Sequence, residues 1–261
     1  MEIKNIKLIN AANKMRNKIS AGKSAVVFRN AHNADNKITI EGEGSSLSFE
    51  GTEGYLRSGK VVIKGQNNTI SISNASTLTG GCSIRMIGNN NTVLVGENCQ
   101  MIGFSIYILG DDNHITIGNN VSVVLTSLHI EEDGNSVIIG TNTTFHGRDR
   151  NLIELALDEG TSIHIGEDCM ISNSVCLRSS DSHSILNNKG ERINPAGNIV
   201  INNHVWIGMQ SIILKNTVVG ANCIIGAGSI CNKNYKNESC LIAGNPAKIV
   251  KENVNWSRDR M

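Results

Sequence analysis

Apolar residues recur along this chain at a step of six. From Ile201 the step lands on Ile207, Ile213, Val219, Ile225 and Cys231, and four residues after each of the first five stand Val205, Ser211, Thr217, Cys223 and Ser229. Gly208, Gly220 and Gly226 follow three of these rungs, with Asn202 and Leu214 after two others. Such a step fits neither the 3.6-residue period of a helix nor the two-residue alternation of a long strand. It fits a triangular coil of three short strands. Each strand sends one aliphatic side chain inward and a small one to the corner, and the coils bond to one another at a spacing of about 4.8 Å. Strict six-residue spacing therefore predicts an all-β chain folded as a left-handed parallel β-helix.

The ladder continues upstream with insertions. Val95, Ile117 and Ile139 are 22 residues apart, three hexapeptides plus four, and the surplus falls at the polar corners GDDNH (110–114) and EEDGN (131–135). NNTISI (67–72), NNTVLV (90–95), DNHITI (112–117) and GNSVII (134–139) repeat one unit of turn then strand. One corner per coil is expected to be enlarged. A second ladder, Ile165, Ile171 and Leu177 with Cys169 and Val175 at the small positions, stops at residue 178 and resumes at Ile199 or Ile201. The polar segment 178–198 between them reads as an inserted loop, and loops of that length inside a compact repeat usually carry function. The expected organisation is a helical or irregular cap over 1–35, a β-helix over 36–245, and a C-terminal tail over 246–261.

Composition narrows the partners. Only 3% of residues are aromatic, so the core must be aliphatic, and a net charge of +1 gives no single-sign field for nucleic acid or an acidic membrane. The apolar runs are too short to span a bilayer, and the N-terminus lacks the apolar core and cleavage site of a leader peptide. A cytoplasmic protein is expected. Seven cysteines without a C-x-x-C spacing read as reduced thiols, with Cys99, Cys169 and Cys223 at small inward positions and Cys231 on the ladder.

Four motifs carry the chemistry: SDSHSI (180–185), HVWIG (204–208), IIGAGSI (224–230) and IAGNPAKIV (242–250). In this order they resemble the hexapeptide acyltransferases that acetylate sugars and capsular polysaccharides, over roughly residues 135–256. The resemblance implies acetyl-coenzyme A as co-substrate, a hydroxyl of a sugar or polysaccharide as acceptor, no metal, and a homotrimer with its sites between subunits.

On that resemblance His183 of the D-x-H motif is the general base that takes the acceptor's proton, a task suited to a group of near-neutral pKa. Asp181 either orients the imidazole or caps a turn. Trp206 lines the cleft or a subunit contact. Gly226, Ala227 and Gly228 leave room for a pantetheine arm and exposed backbone groups to bind it, while Asn245, Pro246 and Lys248 close the helix with a cation near phosphate; Lys233 is a further cation. Transfer is expected to be direct, in a ternary complex, since the cysteines read as core. His146, after the inward Phe145 in TTFHGRDRN, reads more readily as part of an enlarged corner than as an acceptor contact.

Two other classes compete. A β-helix carbonic anhydrase would need His164, His183 and His204 to converge on a metal, but it leaves the GAGS and GNPAK segments without a role. A noncatalytic scaffold needs repeats and no D-x-H loop. Within the acetyltransferases, an antibiotic or serine acceptor is the alternative, and the long N-terminal half favours a large saccharide.

Overall fold

A computed structural model describes residues 6–9, 18–29, 32–50, 55–148 and 152–259. Among these residues there is no helix, and the strands fall into three sheets of 11, 11 and 10 strands, parallel except for one terminal pair, that wind as a left-handed β-helix. Each coil visits a first face (for example Thr92–Val95), a second (Gln100–Ile102) and a third (Ser105–Leu109). The rungs predicted from the sequence stack in register. Val95 pairs with Ile117, Ile117 with Ile139, and Ile139 with Ile165, and the file continues through Ile201 and Val219 to Tyr235. All six residues of the strict ladder, Ile201 to Cys231, are fully buried.

The corners explain the many asparagines and glycines. Asn98, Asn120, Asn142, Asp168, His204 and Asn222 stack at the corner between the first and second faces, each with φ between 54° and 61°. Asparagine and aspartate tolerate that left-handed backbone better than most residues. Gly140 beside this corner has another cause, because a Cβ there would lie 2.5 Å from the carbonyl carbon of Gly166 in the next coil. At the corner from the third face to the first, Asn68, Asn91, Asn113 and Asn135 form a buried ladder. Asn113 Oδ1 accepts both the main-chain N–H (2.9 Å) and the side-chain amide (3.0 Å) of Asn135, and the pattern repeats upward. No buried side-chain nitrogen or oxygen among the described residues lacks a partner.

Both ends differ from expectation. The helical or irregular cap over 1–35 does not form in the described residues: Ile6–Ile9 pairs in parallel with Lys23–Arg29, and Lys18–Ser20 with Lys37–Glu41. The alternation in KSAVVFR, with Val26 and Phe28 buried, has the period of a strand and extends the stack. The expected tail over 246–261 is not free either. Ala247–Glu252 turns back antiparallel on Cys240–Gly244, and the chain beyond it returns to the stack.

Charge is divided unequally among the faces. First-face strands from Thr69 to Tyr235 and second-face strands from Thr77 to Gly244 contain no Asp, Glu, Lys or Arg. They turn Leu94, Ile138 and Ile102 outward instead. Third-face strands over the same length carry Lys60, Lys64, Arg85, Glu131, Glu154 and Arg178.

Candidate active site

The inserted loop leaves the third face at Arg178 and rejoins the first face at Ile199. Its polar sequence folds around the buried side chain of Asn194. The Asn194 amide donates to Asp181 Oδ2 (2.8 Å) and to the His183 carbonyl (2.8 Å), and its Oδ1 accepts the Ile185 N–H (2.7 Å). Lys215, from the next coil, donates to Asp181 Oδ2 (2.5 Å) and to the Asn194 carbonyl (3.1 Å). Arg192 grips Glu159 through both terminal nitrogens, at 2.8 and 2.5 Å. Ser180 donates to Asp158, and Ser182, at φ 60°, makes the turn that presents His183.

His183 is exposed, and its ring makes no hydrogen bond within the described residues; the loop holds its main chain alone. Asp181 makes no hydrogen bond to this imidazole. Its carboxylate is engaged by Lys215 and Asn194, and the Lys215 ammonium, then the Asn194 amide, hold its pKa below the usual carboxylate range. The loop also turns Ile185, Leu186 and Ile193 into solvent at 53%, 56% and 58% exposure. Three large apolar side chains on one projecting loop are unusual for a surface without a partner.

Most of the remaining candidates gather at the corner between the second and third faces. Trp206 points outward from the second face, 36% exposed, and donates through Nε1 to Ser172 Oγ (3.3 Å). Gly226, Ala227 and Gly228 follow the second-face strand Ile224–Ile225 and stack directly over Gly208, where a Cβ would lie 2.6 Å from the Ala227 nitrogen. The N–H groups of Gly226 and Gly228 are donated to the Ile242 and Met209 carbonyls. Asn245 and Pro246 form the turn of the closing hairpin, with Lys248 opposite Ala243. Lys233 lies elsewhere. It follows the third-face strand Ile230–Cys231, on the same corner as the His183 loop, 5.6 Å above the Tyr235 ring.

Of a third group, only His204 was among the sequence-based candidates. Trp256, only 8% exposed, stacks on His204 with ring centroids 4.3 Å apart and lies 6.2 Å from Trp206. His204 Nδ1 bonds Asp168 Oδ2 (2.7 Å), and its Nε2 bonds the Trp256 carbonyl (3.1 Å). Arg258 completes the clasp with bonds to Asp168 Oδ1, Thr144 Oγ1 and the Asn142 and Cys169 carbonyls. Burial raises the Asp168 pKa, but the hydrogen bonds from Arg258 and His204 outweigh it and the net shift is downward. His146 lies in the second-face strand Thr144–His146 rather than at an enlarged corner, because Phe145 is a core rung and its neighbour must point outward. Burial, then the charges of Arg258 and Arg148, push its pKa below the ordinary histidine value.

Comparison with known proteins follows the same division of the chain. The family model for the bacterial transferase hexapeptide, of six repeats, matches residues 198–233. A polysialic acid O-acetyltransferase of Escherichia coli O1:K1 is 39% identical over 98 residues, 37% of this chain and 32% of the relative. One from Neisseria meningitidis is 36% identical over 106 residues, 40% of this chain and 49% of the relative. The matches thus span a third to a half of those curated relatives. The structure of the polysialic acid O-acetyltransferase OatWY superposes with a TM-score of 0.71 at 36% identity, covering 76% of this chain and 91% of that one. The chain belongs to the hexapeptide-repeat acetyltransferases.

In this member of the family a single chain brings Trp206, the Gly226–Gly228 turn and the closing hairpin to one corner, and carries His183 on another. The three histidines weighed as metal ligands are dispersed: His164 on the first face, His204 at the first-to-second corner and His183 on the loop. Burial disfavours the thiolate form of Cys169, Cys176 and Cys231. Burial pushes Cys169 to about 11 and Cys231 to about 12, and burial together with the Glu154 charge takes Cys176 to about 11. Sequence reasoning missed Asn194, Lys215 and the Arg192–Glu159 pair, which shape the loop, as well as Trp256 and Arg258. Their one sequence signal was that Trp256 is the second of only two tryptophans.

Proposed function

We propose that this protein is an acetyl-coenzyme A-dependent O-acetyltransferase acting on a hydroxyl of an acidic polysaccharide, as a homotrimer in the cytoplasm. The observation that carries the reading is His183: an exposed imidazole without an internal partner, on a loop that fixes its main chain through Asn194. That is the state a base needs before an acceptor hydroxyl arrives. The polysialic acid O-acetyltransferase relatives support the acceptor class.

In the proposed reaction an imidazole nitrogen of His183 takes the hydroxyl proton as the oxygen attacks the thioester carbonyl. The tetrahedral intermediate collapses with cleavage of the C–S bond, and the imidazolium returns the proton to the departing thiolate. Asp181 is a structural anchor in this scheme, tying the loop to Lys215. The small residues of the Gly208 and Gly226–Gly228 turns suit the narrow arm of the coenzyme, with Trp206 at the cleft wall and Lys248 near phosphate. No metal enters the scheme.

His183 and the Trp206 corner lie on different edges of one chain, so a complete site needs two copies. The charge-free strands of the first face from Thr69 to Tyr235 and of the second face from Thr77 to Gly244 suit that role, since interface cores are depleted in charge. Packing the first face of one copy on the second face of the next brings the His183 corner beside the neighbour's Trp206 corner, with the loop's Ile185, Leu186 and Ile193 covered between them. All seven cysteines are free, in keeping with a reducing compartment.

Purified wild type and His183→Ala are compared for thiol release and acetylated product with acetyl-coenzyme A and a panel of acidic polysaccharides. A loss of about 10² to 10⁴-fold in turnover, with coenzyme affinity retained, is the expected result. Full activity in the variant removes His183 as the base, and a wild type that transfers to no acceptor and binds no coenzyme removes the reading.

A further inference from the structure

Outward residues on the third face form a column that the registers fix. Arg85 pairs with Tyr107, Tyr107 with His129, His129 with Ala156, and Ala156 with Arg178. Tyr107 and His129 stack with centroids 4.8 Å apart and their planes within 25°. Beside them runs a file of hydroxyls, Ser83, Ser105 and Ser127, in the same register. The column spans four coil steps, about 19 Å at the usual strand spacing. It ends at Arg178, whose Nη2 donates to Ser182 Oγ (3.0 Å), the residue immediately before His183.

We infer that this third-face column is a binding track that leads an acidic polysaccharide chain from the N-terminal coils to the His183 loop. Stacked rings and closely spaced hydroxyls suit sugar rings, which offer apolar faces and hydroxyl edges at once. Arg85 and Arg178 supply forked donors for sugar carboxylates. Of the charges on this face from Lys60 onward, Lys60, Lys64, Arg85 and Arg178 are basic against Glu131 and Glu154. Glu131 is held by His129 (3.0 Å), Glu154 lies 3.8 Å from Arg178, and Lys64 is paired with Glu41 (2.9 Å). The balance favours an anionic partner of moderate charge density over a phosphate at every unit. Ala156, between His129 and Arg178, is only 8% exposed and offers a passing chain no side chain of its own. The third face stays open to solvent in the proposed trimer, whose copies meet through the other two. The track's direction toward His183 rests on the acetyltransferase reading; its chemistry does not.

The test uses the full chain with His183→Ala, so that binding is read without turnover. Polysialic acid, polygalacturonate, a short sialic acid oligomer and neutral dextran are titrated by calorimetry. At least one acidic polymer is expected to bind more tightly than the oligomer and dextran, less tightly as salt is raised. Adding Arg85→Ala with Tyr107→Ala is expected to weaken that polymer about tenfold, with oligomer and coenzyme affinities unchanged. Arg85→Glu, a charge reversal at an exposed position, is expected to weaken it further at an unchanged melting temperature. Unaltered polymer affinity in these variants overturns the track, as does failure of both acidic polymers to bind the parent. Acetyl transfer by the protein with His183 intact is scored separately. Transfer without track-dependent binding sinks the track alone, whereas track-dependent binding without transfer to any acceptor sinks the enzyme reading alone.

Discussion

The chain uses two kinds of coil, and the contrast separates what holds the molecule together from what it does. Between Val95 and Ile139 each turn takes 22 residues, while from Ile201 to Val219 it takes 18. The surplus goes largely to the third face and the corner after it. Third-face strands run five residues in Ser83–Ile87 and Ser105–Leu109, but three in Ile212–Leu214 and two in Ile230–Cys231. Longer coils thereby gain a wide outer surface and a corner sealed by buried asparagines. Shorter coils keep minimal strands and tight glycine turns, and the candidate catalytic groups sit among them. A repeat tolerates such local changes because each coil answers only to its neighbours.

The largest effect expected on stability comes from the short coils. Ile213→Ala removes a fully buried rung between Leu177 and Cys231 and is expected to cost about 2–5 kcal/mol in denaturant unfolding. In the long coils Asn113→Ala attacks the other kind of support. It strips the acceptor from the Asn135 N–H and the donor from the Glu132 carbonyl, for an expected cost of about 1–3 kcal/mol. If Asn113→Ala is silent while Ile213→Ala is severe, the asparagine ladder is a corner filler rather than a support, and the contrast between coils narrows to shape.

Acidification is expected to act more weakly, and at the C-terminal half. His146 has a folded pKa below its ordinary 6.5, so the unfolded chain binds that proton more readily and stability declines as the pH falls below about 6.5. Asp168 and Asp181 have folded values below the ordinary 3.8; their contribution is complete above that pH and is lost as the pH falls through the folded values. Each carboxylate is exposed enough for solvent to screen it, so the acid-limb loss is small. Hydrogen exchange across the pH range checks the location: protection should fall first around residues 142–146 and 256–258, then in the loop.

The division between legible and illegible features follows the range of the interactions. The six-residue step exposed the coils, and the 22-residue step located the enlarged corner, because both are local periods. His183 and Trp206 stood out through short motifs. The N-terminal strands were lost because polar residues interrupt their alternation. The partner of Asp181 was lost because Lys215 lies 34 residues away, where no local pattern links them. His204 and Trp256 are 52 apart and Asp168 and Arg258 are 90 apart, so a segment that read as a tail is a clasp. The third-face column was hidden for a related reason: Arg85, Tyr107 and His129 align only once 22-residue coils are stacked.

The central claim is that one chain supplies His183 and its neighbour the Trp206 corner. His183→Ala and Trp206→Ala proteins, each first shown to be inactive, are unfolded together, refolded as mixed trimers and assayed for acetyl transfer. A shared site predicts recovery, since about a quarter of the sites in randomly mixed trimers pair an intact His183 with a neighbour's intact Trp206. If every site lies within one chain, each carries one lesion and the mixture stays as inactive as its parents; that result, with mixed trimers shown to form, would contradict the account.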